Sequence, residues 1–98
     1  MGMKVRASIE LIPTESGGAD HSMRGCFRPN HRFGSADFVV GEVEQAPDEV
    51  IAPGECAERM VTFLPDGLPR LVAGTQWEIF EGPQKLIGRG TVLELPEG

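Results

Sequence analysis

Three arginines, two histidines and a cysteine crowd into residues 21–32, with no acid among them. Arg24, Arg28 and Arg32 recur every four residues. An extended chain places such positions on one face, about 13 Å apart, because a strand rises about 3.3 Å per residue. A planar guanidinium donates in a fork that suits phosphate or carboxylate, so the pattern reads as a binding face for RNA or a protein partner. Asn30, His31 and Phe33 interleave with the arginines and add hydrogen-bonding and stacking groups. Against this stands the plainer reading that surface arginines are solvated or paired with the chain's many acids. Pro29 is read as structural.

The same segment holds both histidines and one of the two cysteines, residue types suited to catalysis or metal binding. His21, His31 and Cys26 lack the paired spacing of a zinc site, and no orienting third group accompanies a Cys–His pair. Structural or surface roles are expected for all three, with no catalytic residue, metal or other cofactor. Glu42, Glu44, Asp48 and Glu49 form an acidic run, read as a solvated loop that could also meet a basic protein surface.

The formal net charge of the 98 residues is -6, made of +3 within residues 21–32 and -9 elsewhere. That balance opposes nonspecific attraction to DNA, RNA or anionic membrane. No run approaches the length of a membrane-spanning helix, so no membrane partner is expected. A Met-Gly-Met-Lys start without a leader reads as cytoplasmic. Cys26 and Cys56 are then expected to be reduced, buried thiols. A myristoylation start is discarded because Arg6 stands where the motif has Ser or Thr.

These residues must be carried by short strands. Residues 4–12 alternate, with Val5, Ala7, Ile9 and Leu11 on one face and Lys4, Arg6, Ser8 and Glu10 on the other. Residues 13–22 centre on Ser16-Gly17-Gly18 and read as a loop. Extended segments follow at 23–33, interrupted at Pro29, and at 36–43; residues 45–51 read as an exposed connection. Pro53-Gly54 launches a strand at 56–64 whose inward face the pattern leaves open. Strands at 76–81, with Trp77 and Ile79 on one face, and at 86–95 close the chain. Gly88 and Gly90 point to a bulge or a close backbone approach, and Trp77 to the core. Thirteen glycines and eight prolines fit many tight turns. The expected fold is all-β: one domain over residues 1–98, a small six-stranded antiparallel closed β-barrel, since closure removes exposed edges.

Several motifs in order resemble the C-terminal barrel, domain three, of elongation factor Tu, over residues 4 to about 95. The opening Lys-Val-Arg-Ala-Ser-Ile-Glu-Leu-Ile is similar to that barrel's first strand, and Thr14-Glu15-Ser16-Gly17-Gly18 to its acidic Gly-Gly loop. Gly25-Cys26-Phe27-Arg28-Pro29-Asn30-His31-Arg32-Phe33 resembles its Gly-Tyr-Arg-Pro-Gln-Phe segment, and Ile51-Ala52-Pro53-Gly54-Glu55 its Met-Pro-Gly-Asp turn. Trp77-Glu78-Ile79-Phe80-Glu81-Gly82 and Ile87-Gly88-Arg89-Gly90-Thr91-Val92 are similar to its last two strands.

The resemblance implies a non-enzymatic module that docks on neighbouring protein domains, with tRNA contact as the alternative. Glu81-Gly82 is similar to the family's tRNA-contacting turn and reads equally as a hairpin element. Departures weigh against the GTPase and tRNA roles. The chain has no Gly-x-x-x-x-Gly-Lys-Ser/Thr loop, Pro83 replaces a turn glycine, and a lysine of the family is missing near Leu64-Pro65. The expectation is therefore docking on a protein partner, or mimicry of the factor's barrel. RNA contact through Arg24, Arg28 and Arg32 comes second, and a small enzyme using His31, Cys26 or the carboxylates third. The binding candidates are Arg24, Arg28, Asn30, His31, Arg32, Glu81 and Gly82.

Overall fold

The structure is a computed structural model that describes residues 2–96. Six strands close a barrel: β1 (Met3–Leu11), β3 (Asn30–Arg32), β4 (Val39–Val43), β6 (Cys56–Phe63), β7 (Gln76–Glu81) and β8 (Lys85–Glu94). Around the barrel the order is β1-β6-β4-β3-β7-β8, and every pairing is antiparallel, the last strand returning to the first. A two-stranded ribbon of β2 (Met23–Arg24) and β5 (Val50–Ile51) lies outside that ring. The expected all-β, six-stranded closed barrel is what forms. Among the described residues no helix is long and apolar enough to cross a membrane.

The period-two pattern of β1 sets the inside. Val5, Ala7, Ile9 and Leu11 are buried, and they are joined by Val61 and Phe63 of β6, Val39 and Val43 of β4, Ile79 of β7 and Val92 of β8. On β6 the inward parity carries Ala57, Arg59, Val61 and Phe63, facing Ile9, Ala7, Val5 and Met3 of β1. Small Ala7 sits opposite long Arg59.

An aromatic knot fills the barrel's centre. Trp77 stacks on Phe33 at 5.5 Å between centroids and meets Phe63 edge-on at 5.3 Å. Its indole Nε1 donates to His31 Nδ1 at 2.9 Å. Gly90, opposite Trp77 in the register, leaves space for the ring: a Cβ there would stand 2.2 Å from the indole. The close approach expected at Gly90 is thus real. The register shift of β8 against β7 falls next to Gly88, where Ile87 is the extra residue between Leu86 and Gly88.

Three expectations need correction. Residues 45–51 are not simply an exposed connection, because Gln45 and Ile51 are buried. Gln45 Nε2 donates to the carbonyls of Met23 (3.0 Å) and Gly25 (2.9 Å), and its Oε1 accepts from Arg59 Nε (2.8 Å). It ties the ribbon to the barrel. Gln45→Ala leaves these groups without partners and should cost about 2 kcal/mol, read by chemical denaturation. Full stability in that variant would mean water replaces the amide without loss.

Second, Cys26 and Cys56 are free but exposed rather than buried. Cys56 has outward parity on β6 and lies 3.1 Å from Ser8 Oγ, and Cys26 falls in an irregular segment with its Sγ 3.5 Å from the Gln45 carbonyl oxygen. Third, His31 is fully buried. Its place between outward Asn30 and Arg32 turns it inward, so it cannot touch a partner.

Candidate functional site

Residues 23–32 do not run as one straight strand. Gly25 takes φ 67, a left-handed conformation, and turns the chain out of the ribbon. Phe27 then bridges to Val43, and only Asn30–Arg32 join the barrel sheet. The row of arginines at regular spacing is therefore not formed. Arg24 sits on the ribbon opposite Val50. Arg28 donates through Nε to Glu42 at 2.9 Å. Arg32 lies 3.5 Å from the Glu78 carboxylate, and its guanidinium covers the Phe80 ring at 4.9 Å and approaches Phe38 at 5.8 Å.

Four of the expected site residues do converge. Arg28, Asn30, Glu81 and Gly82 line a shallow pocket of about 190 Å³ whose apolar wall includes Met23, Phe27, Phe80 and Ile87. Asn30 Nδ2 donates to the Gly82 carbonyl at 2.8 Å, which fixes the β7–β8 turn against β3. Gly82 needs its freedom here, since its φ is 69.

The outer face of the sheet explains the apolar wall. Val40 of β4, Asn30 of β3, Phe80 of β7 and Leu86 of β8 are direct neighbours in register. Leu64 follows β6 and donates its N–H to the Val40 carbonyl. Val40 is 59% exposed, Leu64 48% and Phe38 38%. Arg28 joins the pocket to a second hollow lined by Val40, Gly41, Glu42, Thr62 and Leu64. Nothing in the spacing of the basic stretch foretells this stripe. The one available signal was that the 36–43 run is apolar at both parities, so one of Val39 and Val40 must face out.

His21, outside the pocket's lining, reaches it through Glu81. Its Nε2 is 2.7 Å from Glu81 Oε2 and its Nδ1 is 3.2 Å from the Ser22 carbonyl oxygen. The Glu81 hydrogen bond, helped by Ser22 and the Glu81 charge, pulls its pKa above the usual 6.5. The carboxylate of Glu44 is held below its usual range by Lys4, 3.0 Å away. Among the described residues, no three His, Cys, Asp or Glu side chains group as metal ligands would. No protein-family model matches the chain.

Proposed function

We propose that the chain is a non-enzymatic binding module that docks on a protein partner, as the barrel it resembles in elongation factor Tu docks on its neighbours. The observation that carries this reading is the condition of its arginines. Arg28 and Arg32 are already met by Glu42 and Glu78, beside a stripe of exposed Phe38, Val40 and Leu64. Phosphate binding rests on uncompensated positive charge. A charge-balanced face with apolar residues at its centre and polar groups around it fits a protein surface better. A pocket of about 190 Å³ with an apolar wall suits one anchoring side chain of the partner. The N–H groups of Arg28 left free by Glu42, and the amide of Asn30, supply donors at its rim for the partner's neighbouring carbonyls.

RNA contact through Arg24, Arg28 and Arg32 is the alternative, and one experiment separates the two. The domain is used to capture partners from its own cell lysate, with and without nuclease, beside Val40→Asp/Leu64→Asp and Arg24→Glu/Arg28→Glu variants. The expected result is one identified protein that survives nuclease and is lost at least tenfold in the aspartate variant. Material that vanishes with nuclease and with the arginine changes, but not with the aspartates, would replace docking by RNA contact.

A further inference from the structure

The two walls of the pocket come from distant parts of the chain. Met23 begins the ribbon on one side; on the other, Phe80 and Glu81 end β7 and Gly82 opens the turn that follows. His21 spans them. One ring nitrogen meets the Ser22 carbonyl, next to Met23, and the other meets Glu81 across 60 residues of sequence. Both partners are acceptors. A neutral imidazole carries one N–H and can satisfy only one of them; an imidazolium carries two and satisfies both. The observed bridge is therefore complete only in the protonated ring.

We propose that His21 is a protonation-dependent clasp that joins the two walls of this pocket and opens at one end when its proton is lost. With the proton on, the imidazolium holds the loop to the β7–β8 turn and neutralises Glu81. With it off, a lone pair faces either Ser22 or Glu81, that contact is lost, and the Glu81 charge is left uncompensated at the pocket's rim. The charged groups around the ring are Glu81 on β7 and Asp20 on its own loop; Lys85, the cross-strand neighbour of Glu81 on β8, and Arg28 across the pocket stand beyond. The ring is half exposed, so protons reach it freely. An unperturbed histidine changes charge between about pH 5 and 8, and the Glu81 hydrogen bond moves this one upward. Partner binding as the regulated event rests on the docking reading above; the clasp itself does not.

The test is an NMR pH titration of the whole chain, following the His21 ring nitrogens and the amides of Met23 and Gly82. His21 should titrate above 6.5, and the two amides should follow with the same midpoint. In Glu81→Gln the midpoint should drop toward 6.5, and in His21→Gln the amide titration should disappear. The Trp77 indole N–H, in the barrel core, reports that each variant is folded. A His21 midpoint at or below 6.5, or amides indifferent to it, would overturn the clasp. These midpoints are read without a partner, so failure of the capture experiment and failure of the clasp are distinct results.

Discussion

Gly90→Ala should destabilise the barrel by about 3 kcal/mol or more, the upper end for overpacking a core. The added methyl would lie 2.2–2.5 Å from three indole carbons of Trp77. That ring has no easy retreat. Its face is against Phe33, its edge against Phe63, and its N–H is held by His31. For a domain of this size the melting temperature should fall by roughly 12–24 °C. Truncating the indole tests the cause. In a Trp77→Phe background the alanine should cost at least 1 kcal/mol less, because the smaller ring vacates the contested space. Equal penalties in the two backgrounds would mean that strain in β8, not the indole, sets the need for glycine.

Acid should destabilise the protein through His31. Burial pushes the imidazole down to about 4, against a small upward pull from the Gly41 backbone, and its Nε2 has no hydrogen-bond partner. In the unfolded chain it titrates near 6.5, so between pH 6.5 and 4 the unfolded state holds more of this proton than the folded state. Stability from the neutral ring is complete above 6.5, declines as pH falls, and is gone near 4. At about 1.4 kcal/mol per pH unit, that window spans about 3 kcal/mol. The structural reason is direct: Nδ1 accepts from Trp77, and a proton there would oppose two donors. Denaturant melts at several pH values should show this slope in the wild type and its loss in His31→Gln, whose side chain still offers an acceptor to Trp77. An unchanged slope would assign acid sensitivity to the carboxylates, such as Glu44 beside Lys4. His21 acts oppositely. Its raised pKa gives stability that is whole below 6.5 and fades as pH rises past its folded value.

The barrel was legible because its strands alternate and its turns are punctuated. β1 shows four inward apolar residues at strict period two, and glycines or prolines bound most of the others. Legibility fails where one residue at a time decides. The inward face of β6 stayed open because Arg59 shares parity with Ala57, Val61 and Phe63; the structure resolves this by leading the guanidinium to Gln45. Gln45 lies in a segment with Pro47 and two acids, where no period marks burial. Within the candidate site, Arg28 and Asn30 were identifiable, and so was the Glu81-Gly82 turn. Their convergence was not, since it depends on the β3–β7 register. His31 was legible in retrospect from parity: a strand that points Asn30 and Arg32 outward must point His31 inward. Reading the segment by charge concealed its alternation. The His21–Glu81 pair carries no local signal at all.

The seam that closes the barrel joins β1 to β8, pairing Leu11 with Gly88 and Arg6 with Glu94. Its two sides are separated by nearly the whole chain. Closing so long a loop is slow, which places this small domain among folders on the millisecond-to-second scale rather than with microsecond helical bundles. Until the seam closes, β1 and β8 each present an unpaired edge of backbone N–H and C=O groups. Pairing with the open edge of another copy then competes with correct closure, so the yield of folded barrel should fall as the concentration of the refolding chain rises.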